Sequence, residues 1–306
     1  MTEKTGWERE NRVHFDDIVN VYDKVRVGYP TELFDALFNY ASSSIPRTAI
    51  RCSCLAENMQ RFKHFSARLT TSYEERWYSR AIEIGAGTGK ATVPFLNAGY
   101  DVTAVEIGKN MVDFLNGRFA DNKNFSVIND SFENAVFENE SYDIIYAATA
   151  FHWVDAEIGC PKALRLLKKG GTFALFRYNH QPSEGESLYE EIQACYERHY
   201  NRYYTKKKKP VRKSHADFLK PSEIYTSFRF DGMEQYGFSQ TAMKFYEATL
   251  KYSADDYISL LDTYSDHRAL PEENRKNLYA DVRNVIIKHG GVHSLDCTYQ
   301  LYMGRK

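Results

Sequence analysis

The chain has 306 residues, enough for one large domain or one and a half, burying roughly 75% of its unfolded surface. Its 40 Lys and Arg against 41 Asp and Glu leave a net charge of -1. That balance excludes a chain driven by its overall field onto nucleic acid or an anionic membrane.

The N-terminal MTEKTGWERENR is polar and acidic, unlike a secretory leader. No apolar run reaches the ~18 residues of a membrane helix. Five cysteines, an odd number, argue against a disulfide framework and fit a reducing cytoplasm. Residues 15–30 predict a short helix and a turn at Gly28 to Pro30. TELFDALFNYA, 31–41, puts Leu33, Phe34, Leu37, Phe38 and Ala41 on one helical face. Residues 42–78 break that pattern and suggest an inserted segment. Its Cys52, Cys54 and His64 do not have zinc-site spacing, so no metal is expected.

From residue 79 strands and helices alternate. Strands are expected at 81–85, 101–106, 125–130, 142–150 and 171–178, and helices at 89–98, 109–119 and 155–169. The last helix is expected to end in LLKKGG, with lysines at its negative end and Gly170 as a left-handed cap. Such alternation means a doubly wound, mostly parallel sheet, with ligands beyond the carboxyl ends of its strands. Residues 180–236 are polar and tyrosine-rich, and the Lys206 to Lys209 run suits a solvated loop. Alternation returns at 241–251. Helices are expected at 254–264 and 272–288. Residues 294–305 alternate like a strand with one exposed face.

The stretch AIEIGAGTGK, 81–90, places glycine at 85, 87 and 89 after a strand. Glycine there admits unusual backbone angles and close approach of a ligand. A phosphate loop needs glycine at 84 and Ser or Thr at 91, but Ile84 and Ala91 stand there. A dinucleotide turn beginning at Gly85 needs glycine at 90, where Lys90 stands.

What remains is Glu83, Gly85, Gly87 and Gly89. Here the chain resembles the class I S-adenosylmethionine-dependent methyltransferases, closest to the small-molecule branch that includes trans-aconitate methyltransferase-like proteins. Four pieces carry the resemblance in order: FDDIVNVYDKVRVGYP, AIEIGAGTGKATVPFLNAGYDVTAVE, YDIIYAATAFHWVD and LRLLKKGGTFALF. It covers about residues 13–40 and 79–178. The segment 42–78 is a departure, since such enzymes pass from the first long helix to the glycine strand through a short link.

The resemblance implies a seven-stranded sheet with a helical cap. The implied divisions are lid helices at 1–41, the insert at 42–78, a cofactor core at 79–180, a substrate cap at 181–240, and a C-terminal part at 241–306 that completes the sheet. It implies S-adenosylmethionine held by the loop Gly85, Ala86, Gly87 and Gly89. Glu106, followed by Ile107, is placed to accept the ribose hydroxyls, since two carboxylate oxygens receive two donors. Asp130, with Ser131 and Phe132, is implied at the adenine; a helix N-cap is the other reading of Asp130. Glu83 is implied inside the turn, orienting the loop or the cofactor's ammonium. Ala147 to Thr149 would offer backbone to the methionine part, and Tyr22 and Arg26 would close over the cofactor and its carboxylate.

His152 is the candidate base or substrate contact, Trp153 a pocket wall, and Arg177 a carboxylate holder or a structural partner. The expected partner is a small-molecule acceptor, with no nucleic acid or membrane and no oligomeric state specified. A nicotinamide-dependent oxidoreductase and a non-catalytic S-adenosylmethionine binder are the alternatives.

Overall fold

The computed structural model describes residues 16–43, 79–204, 210–220 and 230–306. Most of the 42–78 insert, with Cys52, Cys54 and His64, and the Lys206 to Lys209 run lie outside these residues.

Seven strands form one sheet: β1 (Arg80–Ile84), β2 (Asp101–Glu106), β3 (Phe125–Asn129), β4 (Tyr142–Ala148), β5 (Leu167–Gln181), β6 (Ser239–Ser253) and β7 (Val292–Arg305). Their order is β3-β2-β1-β4-β5-β7-β6. The first five run parallel, whereas β7 is antiparallel to both β5 and β6. The chain winds outward from β1 through β2 to β3, then returns to β4 on the other side of β1. The carboxyl ends of β1 and β4 therefore flank the switch point, where this architecture leaves a crevice.

Helices α1 (Val19–Val25), α2 (Thr31–Ser42), α3 (Thr92–Asn97), α4 (Lys109–Arg118), α5 (Ala156–Leu166) and α6 (Ser187–Tyr196) lie along or beside this sheet. Further helices are α7 (Ala254–Leu261), α8 (Ser265–Arg268) and α9 (Glu272–Lys288). The apolar stripe of α2 does bury Leu33, Phe34 and Leu37. They join Phe95 of α3 and Tyr146 and Phe176 of the sheet in one core. Phe95 and Tyr146 stack with ring centroids 3.8 Å apart. The opposite face packs α5 against Ile145, Phe173 and Leu175. A third core joins α6, α7 and α9 through Ile192, Leu260, Leu278 and Val282, and it takes in Val25 from α1. The N-terminal segment is thus bound into a helical layer at one end of the sheet.

Three expectations need correction. The 155–169 helix ends at Leu166, and LKKGG begins β5 instead. The carbonyl of Lys306 accepts from the Gly170 amide and the Lys306 amide donates to Gly171. These backbone groups are therefore paired in the sheet, and the positive φ of Gly170, +78°, bends a strand rather than capping a helix. Helix α3 starts only at Thr92 because the left-handed Gly89 ends the preceding turn. Finally, β7 is buried on both faces from Cys297 to Arg305. Edge strand β6 covers its flank, Leu301 and Met303 meet the α2 core, and Tyr302 meets the α5 core.

Candidate active site

A cavity of about 1080 Å³, counting the part open to solvent, sits at the switch point. Its floor is the glycine loop after β1. Gly85, Gly87 and Gly89 have φ of +67°, +55° and +82°, angles that L side chains adopt at a cost. Space forbids side chains as well: a Cβ on Gly85 would lie 2.6 Å from that of Ala150.

Glu106 holds this loop in shape. Its Oε2 accepts from the Gly87 amide at 2.8 Å and its Oε1 from the Gly108 amide at 3.0 Å. Burial raises its pKa, against the lowering effect of those two amides and of the Ile107 amide. A carboxylate has about four acceptor positions, so at least one remains for another donor. Glu83 lies in β1 rather than inside the turn and is fully buried. Its Oε2 accepts from Thr92 and from Tyr146, the latter at 2.9 Å. Its Oε1 has no partner among the described residues, although Glu83 lines the cavity. Burial pushes its carboxyl up to about 7; the two hydroxyls oppose this and the Glu106 charge adds to it.

The roof is the N-terminal segment. Asp16 Oδ1 accepts from the Met111 amide at 2.9 Å, satisfying a free donor in the first turn of α4. Asp23 of α1 pairs with Arg118 at 3.0 Å and Lys90 at 3.5 Å, and Arg118 also bonds the Thr88 carbonyl. Arg26 donates to the Tyr178 hydroxyl at 3.0 Å and the Thr263 carbonyl at 2.7 Å. Its guanidinium lies over the rings of Tyr22 and Tyr264. Tyr29 meets Thr149, a non-glycine residue at φ +54°. Strain of this kind recurs beside ligands.

Most residues singled out from the sequence meet at this cavity. Tyr22, Arg26, Glu83, Gly85, Ala86 and Gly87 line it. So do Glu106, Ile107, Asp130, Ser131, Phe132 and Trp153. Asp130 accepts from the adjacent Ser131 amide, and no helix begins there. Gly89 is off the wall, where a Cβ would strike Phe119 at 2.7 Å. Ala147 is buried in the α5 core, and its neighbours Ala148 and Thr149 line the cavity instead. His152 and Arg177 are also absent from the wall. Arg177 donates to Gln300 on β7 at 2.8 Å. Burial, then the Arg177 and Arg26 cations, push His152 down to about 3. It is a neutral imidazole at neutral pH and a weak base.

The sequence pattern did not point to Asp16, Thr88, Met111, Glu133 or Tyr178, which also line the cavity. Nor did it point to Lys162, whose ammonium donates to the carbonyls of Phe132 at 2.6 Å, Glu133 at 3.2 Å and Ala135. A lysine within an amphipathic helix gives no sign of such burial. It gathers the 132–135 loop, whose Phe132 and Glu133 face the cavity. Lys162→Met should leave three carbonyls unpaired, costing about 1–3 kcal/mol each where water cannot enter. A lower thermal midpoint and weaker S-adenosylhomocysteine binding by calorimetry are the expected results; if both match wild type, the loop does not depend on Lys162.

The residues present fit S-adenosylmethionine. An unpartnered carboxylate oxygen on buried Glu83 suits a cationic ammonium. Glu106 retains acceptor capacity for a diol. The glycine loop admits close backbone approach. Fold and site together define a class I S-adenosylmethionine-dependent methyltransferase.

Residues 82–175 match the model of the methyltransferase domain family. A Schizosaccharomyces pombe protein described as an uncharacterised methyltransferase is 25% identical over 212 residues, covering 68% of this chain and 74% of that protein. An uncharacterised methyltransferase of Mycobacterium tuberculosis is 34% identical over 96 residues, 31% of this chain and 38% of its own. Among solved structures, phosphoethanolamine N-methyltransferase 2 of Haemonchus contortus, in complex with S-adenosyl-L-methionine, is similar at 14% identity with a TM-score of 0.41. The match covers 75% of this chain and 49% of that one, so this chain spans about half the length of that solved relative. Among the described residues no helix is long and apolar enough to cross a membrane, and no cluster of three or more potential metal ligands occurs.

Proposed function

We propose that the chain transfers a methyl group to a small-molecule acceptor at an oxygen or nitrogen atom, carboxylates included. The observation that carries this reading is the roofed cavity, with Glu83 and Glu106 at the glycine loop below and Tyr22 of α1 and Arg26, its C-cap, above. A roof pinned by Asp16, Asp23 and Arg26 favours a small guest over a macromolecule. S-adenosylmethionine, when bound, supplies an electrophilic methyl on positive sulfur. The protein's work is then placement of the nucleophile in line with that methyl. Aromatic walls from Tyr22, Tyr29, Trp153 and Tyr178 keep water from that line. His152, held neutral and off the cavity wall, is poorly suited to taking the acceptor's proton. An acceptor already ionised at neutral pH needs no base.

The test is calorimetry with S-adenosylhomocysteine, followed by transfer of labelled methyl from S-adenosylmethionine to a metabolite extract. Saturable binding and one or more labelled small products are expected. Binding with no labelled product from any extract would favour a non-catalytic binder, and absent binding would end the methyltransferase reading.

A further inference from the structure

Next to the cofactor cavity, buried polar atoms without partners among the described residues gather on one face of the sheet. Residues paired across antiparallel strands share a face. Tyr178 pairs with Tyr299 and His180 with Cys297. Cys297 also pairs with Ala248, and His293 pairs with Tyr252. Alternation along β7 then puts Tyr178, His180, His293, Cys297, Tyr299 and Tyr252 on that one face. Tyr257 of α7 covers it, its ring 4.8 Å from that of His293. Tyr264 covers it too, its hydroxyl 3.2 Å from His180 Nδ1. Arg26 lies over Tyr264 and bonds Tyr178, so it borders both this face and the cofactor cavity.

His180 Nε2, His293 Nδ1, the Tyr252 hydroxyl and Arg26 Nε are all buried with no hydrogen-bond partner among the described residues. Tyr252 and His293 are 7% and 3% exposed. The polar cluster next door is different. There Asp266 bonds His267 Nδ1 at 2.9 Å, and His267 Nε2 meets the Tyr196 hydroxyl at 2.8 Å. That cluster satisfies its imidazole at both nitrogens; the first leaves one nitrogen of each of its imidazoles without a partner among the described residues.

The charges sharpen the contrast. The groups acting on Arg26 are the phenols of Tyr178, Tyr22 and Tyr264, and those acting on His180 are Arg26 and His293. No carboxylate is among them. Burial pushes both histidines down to about 4, so they are neutral. One cation and several neutral polar groups, with no anion, complement an oxyanion.

We propose that this face is a binding site for a carboxylate of the acceptor, with His180, Tyr252 and His293 as its hydrogen-bonding residues and Arg26 and Tyr178 as the threshold it shares with the cofactor cavity. The word acceptor rests on the methyltransferase reading; the carboxylate site itself does not. Because Arg26 directly follows α1 as its C-cap, entry requires the end of that helix to lift.

The full chain is titrated with succinate, glutarate and benzoate, and with the corresponding amides, with and without S-adenosylhomocysteine. Thermal shift and calorimetry are the readouts. At least one carboxylate should stabilise the wild type while its amide does not. Tyr252→Phe and His180→Gln should each weaken that binding about tenfold and leave S-adenosylhomocysteine affinity within about twofold of wild type. Tyr252→Phe removes one oxygen that bonds nothing among the described residues, so its ligand-free midpoint should equal or exceed wild type. A clearly lower midpoint would mark the hydroxyl as structural and overturn the proposal. So would equal carboxylate binding by variant and wild type, or no carboxylate binding by the wild type. S-adenosylhomocysteine binding by the wild type is read separately and bears on the methyltransferase reading alone.

Discussion

Glu106→Ala should weaken S-adenosylhomocysteine binding roughly tenfold to a hundredfold. The carboxylate has two tasks. It accepts from the Gly87 and Gly108 amides, and it lines the cavity, where the resemblance assigns it the ribose hydroxyls. Losing one charge-assisted hydrogen bond costs ~1.5–3 kcal/mol, and each ~1.4 kcal/mol is a factor of ten. The alanine also frees two loop amides, and the left-handed glycines then hold their arrangement with less support. Glu106→Gln separates the tasks. It keeps one carbonyl oxygen for an amide and turns an NH2 toward the other, so affinity should fall between wild type and alanine. A cofactor analogue lacking one ribose hydroxyl gives a second readout. Wild type should discriminate against it, whereas Glu106→Ala should bind both forms almost equally. If Glu106→Ala binds S-adenosylhomocysteine as wild type does, the ribose assignment is wrong.

The parts of this site legible in the sequence are those carried by short spacings. Glu83, the three glycines and Glu106 lie within one β-α-β unit. Strand periodicity and glycine chemistry therefore locate them together. The parts hidden from the sequence are brought in by long-range pairing. Asp16 reaches the first turn of α4 across 95 residues, and Arg26 reaches Thr263 across 237. No local pattern encodes either meeting. The face holding His180, Tyr252 and His293 exists only once β7 lies between β5 and β6, and register decides which residues share a side. The LKKGG misreading has the same origin. Lysines followed by glycine suit a helix end, and only the carboxyl-terminal strand alongside turns them into strand. Lys162 shows the converse limit: its place in an amphipathic helix reads as solvent-facing, yet three carbonyls enclose it.

The unpartnered oxygen of Glu83 leads to the second large effect, a pH dependence that the cofactor should reverse. Burial lifts this carboxyl from its usual 4.5 to about 7 in the folded protein. Between those values the folded state keeps a proton that the unfolded state has lost. Stability therefore falls as pH rises from 4.5 to 7 and levels off above. A gap of 2.5 units (7 minus 4.5) is worth about 3 kcal/mol at ~1.36 kcal/mol per unit. Glu83→Gln mimics the protonated form, can still accept from Thr92 and Tyr146, and should remove that slope. Denaturant melts from pH 4.5 to 8 should show the variant gaining on wild type as pH rises, and parallel curves would refute the assignment. Cofactor binding should run the other way. An ammonium at the cavity favours the ionised carboxylate, so wild-type affinity for S-adenosylhomocysteine should rise as pH approaches 7, with a proton released on binding. Calorimetry in buffers of different ionisation enthalpy counts that proton. Glu83→Gln should release none there, bind more weakly and be the more stable protein above pH 7. The same buried carboxyl would then weaken the fold in order to hold the methyl donor. If instead the variant binds as tightly as wild type at every pH, the ammonium is held elsewhere and Glu83 serves only Thr92 and Tyr146.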